Sequence, residues 1–294
     1  MKSFWVLVSG LFFAIMGVFV KLGSDDFSSA ELVFYRSAVG IAVTAGVLGT
    51  RRIGVRTAFL RDHVTRGTLG CVGLVLYFYI MSILPLAMAV TLNHTAPIFF
   101  ALIAAGLLGE RLGGRAVAAI GLGFAGVVLL LRPSADAMQA WGSLVGLVVG
   151  VLVAIGYLYI RKLGEHGEPE SRTVFYYSLI CTIVAGVWTG LTGVHPVTMG
   201  NAWILVGVGV SATVAQLALT RAYKRGKSVL TTTLTYSNVV FASIFGVVIW
   251  NQLLPPLSWL AILLIVASGI LSTAAAFTRK PSPELPVPVP GAAR

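Results

Sequence analysis

The sequence predicts an all-α integral membrane protein of ten transmembrane helices, built as two inverted five-helix repeats. Three observations carry this prediction: the scarcity of charge, the alternation of basic and neutral loops, and an internal repeat at an offset of 141 residues.

Of the 294 residues, 57% are hydrophobic and 11% are charged, whereas a soluble domain carries roughly 25% charged residues. The mean hydropathy of +0.92 agrees. The apolar residues fall in long runs, and a run of about 20 spans the hydrocarbon as a helix. Membrane barrel strands of about 10 residues would alternate in polarity, and no such pattern occurs. Spans are predicted at about 3–22, 30–49, 67–84, 86–109, 115–132, 141–161, 172–191, 201–222, 227–250 and 257–277. The first reads as a retained helix, since no convincing small-residue cleavage site follows it. The proline-rich stretch 279–294 reads as a disordered cytoplasmic tail. Cys71 and Cys181 lie inside apolar runs and form no CxxC, so they read as small packing residues.

The net charge of +11 would suggest nucleic acid in a soluble chain. Here the charges lie between hydrophobic runs, and no basic patch with interleaved aromatics exists. With the N-terminus cytoplasmic, eighteen of the 21 lysines and arginines fall on the cytoplasmic side. They include Lys2, Arg51 to Arg66, Arg111 and Arg115, Arg161 to Arg172, Arg221 to Lys227, and the tail. Lys21 and Arg132 fall on the other side, and Arg36 lies within a span. This is the positive-inside pattern. An added or missing helix would scramble it.

Offsetting by 141 sets Val33-Phe34-Tyr35-Arg36-Ser37 on Val174-Phe175-Tyr176-Tyr177-Ser178. The same offset sets Ala96-Pro97-Ile98-Phe99-Phe100-Ala101 on Ser237-Asn238-Val239-Val240-Phe241-Ala242. Gly10, Ala14 and Ile15 match Gly150, Ala154 and Ile155 at 140. The repeats divide the chain into residues 1–135 and 136–278. Five helices per copy is an odd number, so the second copy starts from the opposite side of the membrane. Such inverted repeats are a common architecture of secondary transporters.

Gly10 to Ala14, the VFYRS segment, the Leu92–Pro97 stretch and Leu108-Gly109-Glu110-Arg111-Leu112 together resemble the EamA-type members of the drug/metabolite transporter superfamily. The resemblance covers about residues 3–277 as two EamA-like halves. The second-half counterpart of 108–112 is Ile249-Trp250-Asn251-Gln252-Leu253, which lacks the acid and the glycine. The family's range implies a carrier of amino acids, nucleotide-like compounds or other metabolites, in the bacterial inner membrane.

Charge in a membrane core is costly, about 2.5–3.5 kcal/mol for a central Arg on insertion scales. Arg36 in helix 2 and His94 in helix 4 are the two ionisable groups expected well inside a span. Arg36 either meets a substrate carboxylate or phosphate, or pairs with Glu31 or snorkels to the interface. His94 stands with Asn93 and Thr95 just before Pro97, which removes a backbone donor and marks a helix hinge. The second-half equivalent is Thr235, Tyr236, Ser237 and Asn238. Tyr77, Tyr79, Tyr157 and Gln216 add polar tips to apolar helices. Glu110 and Arg111 read as a cytoplasmic-end salt bridge or gate. The expected substrate site therefore draws on Arg36, Tyr77, Tyr79, Asn93, His94, Tyr157, Gln216, Tyr236 and Asn238, and lies between the 93–97 and 235–238 zones.

None of the ten acids lies near a predicted span centre, which disfavours a carboxylate-coupled pump. Gly121 to Gly126 spells GxGxxG inside one apolar helix, so it reads as packing rather than a dinucleotide loop. No HExxH, Walker A or GxSxG occurs. An enzyme, a cofactor and a metal are not expected. Expected partners are a small-molecule substrate and the lipid bilayer, with no nucleic acid; a homodimer is a permitted assembly. Amino acids or their derivatives, exported by alternating access, are the first reading. Uptake or exchange of a nucleotide-like or vitamin-like solute is the second, and a membrane-embedded enzyme would need a converging cluster of catalytic groups.

The charge asymmetry sets a topology test. Single cysteines placed in residues 50–66 should react with a membrane-impermeant maleimide only after the cytoplasmic face is opened. Labelling in intact cells would overturn both the orientation and the helix count.

Overall fold

A run of apolar residues in lipid has one way to satisfy its backbone locally, which is a helix. The computed structural model describes residues 2–96, 98–100, 102–103, 114–130, 137–223 and 236–277. Among them are ten helices and no strand: α1 Lys2–Gly23, α2 Ser29–Thr50, α3 Leu60–Ile83, α4 Leu86–Asn93, α5 Gly114–Leu130, α6 Ala137–Glu165, α7 Glu170–Thr192, α8 Ala202–Tyr223, α9 Ser237–Trp250 and α10 Pro256–Phe277. Five of them, α1, α2, α3, α6 and α7, are long and apolar enough by themselves to cross a membrane, and the other five carry shorter apolar stretches. Apolar side chains face outward all round the bundle, among them Leu191 at 83% exposure and Val248 at 75%, as lipid contact requires. The proline-rich tail lies outside the described residues.

Two elements depart from expectation. Helix α3 begins at Leu60, seven residues before the predicted span. A hydropathy window stops at Arg61, Asp62 and Arg66, but the helix continues because those turns find partners. Lys162 Nζ reaches Asp62 Oδ1 at 2.8 Å. Arg66 and His63, assigned to a cytoplasmic loop, therefore sit in a helix, and His63 is fully buried. So His94 does not stand as the sole histidine within the helices. The second departure is α4, which breaks at His94 and Thr95 and resumes at Ala96.

Five packing pairs report the symmetry: α1 with α8, α2 with α7, α3 with α6, α4 with α9 and α5 with α10. Exchanging the halves maps α1–α8 onto α6–α3 and returns the other three pairs to themselves. The self-paired helices run antiparallel. Phe34 lies beside Gly186 and Gly40 beside Ser178. His94 meets Asn238, while Leu86 N donates to Gln252 Oε1 just beyond α9 at 3.0 Å. Ser268 Oγ donates to Ala119 O at 2.6 Å, and Gly126 lies beside Ala261. Antiparallel self-pairing is what inversion about an axis in the membrane plane demands, because that axis must cross each such pair. Parallel repeats would not produce it. α5 and α10 pack chiefly on each other, at the periphery as their apolar composition implies.

The halves interlock through two glycines that are repeat counterparts. A Cβ on Gly10 of α1 would strike Ser237 Oγ at the start of α9. A Cβ on Gly150 of α6 would strike Thr95 Oγ1 at the break of α4. In each case the first helix of one half touches the fourth helix of the other, backbone to side chain.

Gly150→Val should therefore force α6 from α4 and destabilise the fold by about 1–3 kcal/mol, the usual cost of overpacking. Gly46→Ala, which meets open space, should be tolerated. Thermal unfolding in detergent measures both; equal midpoints for the two variants would sink this account of the interface.

Candidate functional site

Helix α4 loses its ladder where the sequence places polar residues. His94 N–H still reaches Val90 O at 3.1 Å, but Thr95 N–H tightens to Leu92 O at 3.1 Å. Thr95 Oγ1 also donates to Leu92 O, at 2.6 Å. A proline two residues on has no N–H to continue the ladder. Facing this break, α9 starts at Ser237 with no side-chain cap from Tyr236. The Asn238 amide Nδ2 lies 3.3 Å from His94 Nε2. The Tyr236 ring lies 5.2 Å from the His94 ring, centroid to centroid. The inversion axis crosses the α4–α9 pair close to this cluster.

Buried polar atoms in hydrocarbon need partners. Ser9 Oγ on α1, Ser237 Oγ and Asn238 Oδ1 are sealed from solvent and have no hydrogen-bond partner among the described residues. All three gather where α1 meets the start of α9. As long as Asn238 donates to it, His94 Nε2 is an acceptor and the imidazole is neutral. A protonated His94 would need Asn238 Oδ1 instead, so proton uptake would be coupled to rotation of one amide.

The remaining predicted residues separate from this cluster. Arg36 and Gln216 line a second cavity of about 50 Å³ between α2, α7 and α8, with Thr44, Tyr177, Ser178 and Thr213. Glu31 does not pair with Arg36, because other groups hold it. Tyr77 is buried in the hydrophobic core, and Tyr79 packs against it. Tyr157 is 47% exposed on the outer face of α6. Asn93 is half-buried at the end of α4. Pro97, Glu110, Arg111 and Thr235 lie outside the described residues. No three His, Cys, Asp or Glu side chains converge as metal ligands among the described residues.

Two cross-half clasps were not legible in the sequence. At the start of α2, Glu31 Oε1 accepts His195 N–H at 2.7 Å and Glu31 Oε2 lies 2.7 Å from His195 Nδ1. Glu31 Oε2 also accepts Ser28 N–H at 2.7 Å, which closes a capping box. His195 belongs to the α7–α8 connection. At the start of α7, Glu168 Oε1 accepts Thr57 Oγ1–H at 2.7 Å. Arg172 Nη1 lies 3.1 Å from Glu168 Oε2, and His63 Nε2 lies 3.4 Å from it. Arg172 Nε and Tyr176 Oη donate to Gly54 O and Val55 O of the α2–α3 connection, each at 2.9 Å. The repeat makes these clasps counterparts at opposite ends of the α2–α7 pair.

Comparison with known proteins adds a functional class. The model of the EamA-like transporter family matches residues 1–132 and 140–274. A pseudopaline exporter of Pseudomonas aeruginosa is 27% identical over 88% of this chain and 88% of its own length. A riboflavin transporter of Rhizobium johnstonii is 28% identical over 75% of this chain and 74% of its own. A solved crystal structure superposes with a TM-score of 0.65 over 94% of this chain and 97% of that one, at 21% identity; at that identity the likeness shows the fold.

The Glu168 clasp carries a pH signature. Burial alone would push the Glu168 carboxyl up, but the bonds from Thr57 and Arg172 and the Arg172 charge outweigh it and hold the group below its ordinary 4.5. Its contribution is therefore complete above about pH 4.5 and is lost as pH falls through the lower folded-state value. Glu168→Gln should lower thermal stability at pH 7 and shrink the difference from wild type at pH 3–4. A constant difference across that range would overturn the assignment.

Proposed function

The chain belongs to the EamA-like transporter family, and from that membership we propose that it is a secondary carrier of small polar or amphipathic metabolites working by alternating access. The observation that carries the mechanism is the meeting of His94 and Asn238 at 3.3 Å, where a broken α4 faces the start of α9. Midplane sites between discontinuous helices of two inverted repeats suit a solute that must be reachable from each side in turn. The unsatisfied hydroxyls of Ser9 and Ser237 and the free Asn238 oxygen offer it donors and acceptors, and Tyr236 offers a ring face. Arg36 in the neighbouring cavity suits a substrate carboxylate. Export of amino acids or their derivatives is the first reading, and its nearest support is the similarity to a pseudopaline exporter. Uptake or exchange of a vitamin-like solute is the second, supported by the similarity to riboflavin transporters. The excess of positive charge in alternate loops supports a bacterial inner membrane location with both termini cytoplasmic.

Flux of labelled amino acids and of riboflavin into proteoliposomes separates the two readings. His94→Ala and Asn238→Ala should each lower flux of the accepted solute by about tenfold, as expected for one lost buried hydrogen bond of about 1.4 kcal/mol. Expression and thermal midpoint should change little. Wild-type flux in both variants would show that the pair only holds α4 to α9.

A further inference from the structure

Arg36 and Arg66, both half-buried, act on the same side chains of α7, and neither makes an ion pair among the described residues. Arg36 lies on α2, close to the α2–α7 crossing at Gly40 and Ser178. Arg66 lies on α3, with its Cζ 4.8 Å from the centre of the Tyr177 ring. Tyr177 is the repeat counterpart of Arg36 and lines the same cavity; both charges act on Tyr177 and on the neighbouring Cys181. The Nε atoms of Arg36 and Arg66 are both sealed from solvent and make no hydrogen bond among the described residues. Arg66 reaches only the Thr173 carbonyl, at 3.5 Å. Among the described side chains, three acids of the neighbouring elements are already engaged: Glu31 by Ser28 and His195, Asp62 by Lys162, and Glu168 by Thr57 and Arg172.

Buried like charges without a partner are unfavourable, and a cation pair of this kind is stable when an anion joins it. The cavity beside Arg36 holds about 50 Å³, several times the roughly 10–15 Å³ of such space that one water needs, which is room for a carboxylate-sized group. Thr213 and Ser178 hydroxyls and the Gln216 amide line it as further hydrogen-bonding groups. An arginine fork binds carboxylate or phosphate in a bidentate manner. A lipid headgroup offers the same chemistry, and phosphatidylglycerol compared with succinate separates the two sources.

We propose that Arg36 and Arg66 form an anion-binding site of the transport pathway, taking the carboxylate or phosphate of the solute, with Tyr177 beside both. The proposal rests on the carrier reading for its role, while the site is separate from the His94–Asn238 cluster.

The test uses the full chain in phosphatidylcholine nanodiscs, with succinate and the uncharged succinamide as probes. Succinate should raise the thermal midpoint by several degrees and succinamide should not. Arg36→Gln and Arg66→Gln should abolish the succinate response while leaving the ligand-free midpoint equal to or above that of wild type, because each removes an unpaired charge. Arginines serving only as structural props would instead lower it. Arg36→Lys and Arg66→Lys keep the charge but lose the fork, so they should weaken the response without abolishing it. His94→Ala should keep the response while losing flux, which separates failure of this site from failure of the carrier reading. The proposal is overturned by equal effects of succinate and succinamide on the wild-type chain, a measurement that needs no variant. It is equally overturned by an unchanged succinate response in the glutamine variants, or by stabilisation from added phosphatidylglycerol with none from succinate.

Discussion

The bilayer offers no water to a polar group, so each half of this bundle must complete the other. That constraint is concentrated where Gly10 meets Ser237 and Gly150 meets Thr95. In lipid the helices gain little from burying apolar surface, because the tails are as apolar as leucine; close van der Waals approach and interhelical hydrogen bonds take over. A glycine on the first helix of each half lets the fourth helix of the other come in at backbone distance. The pairing of α4 with α9, the crossing of α2 with α7 and the peripheral placement of α5 and α10 follow from the same two-fold exchange.

This interlock also decides where irregular backbone is tolerated. A helix can break at the midplane only if it is covered by protein or lines a cavity. The interruption at His94 and Thr95 satisfies this, since α6, α9 and α1 close around it. Other freed groups are met across the halves. Gln252, just past α9, caps the first turn of α4 by accepting Leu86 N–H at 3.0 Å. Asn251 before it takes a left-handed φ of 51°, which asparagine tolerates better than most residues. The second half thus carries Asn251 and Gln252 where the first carries an acid and an arginine, and Gln252 serves the neighbouring half.

The two clasps give the same symmetry a mechanical reading. Glu31 with His195, and Glu168 and Arg172 with Thr57 and Gly54, tie the start of each second helix to a connection of the opposite half. The Arg36–Tyr177 pair lies between the clasps.

The sequence by itself determined the class and the symmetry. Charge scarcity, alternating basic loops and the 141-residue offset are properties of composition and order, and the bilayer turns them into helices and inverted halves almost without alternatives. It also marked His94, Tyr236 and Asn238, because polar residues in an apolar run are legible one at a time, Pro97 marks the first zone, and the repeat aligned the second with it. What only the tertiary structure decided is which marked residues meet. Tyr77 and Tyr157 look equivalent to Tyr236 in sequence, yet one lies in the apolar core and one on the outer face. Arg66 was hidden by a hydropathy window that ends at charge, although α3 starts at Leu60. Glu31 was a reasonable partner for Arg36 on one helix, but it turned to His195, which lies 164 residues away in the chain. Helical periodicity fixes neighbours three or four residues apart; contacts between halves depend on where antiparallel helices cross, and that position is set by small residues and close packing.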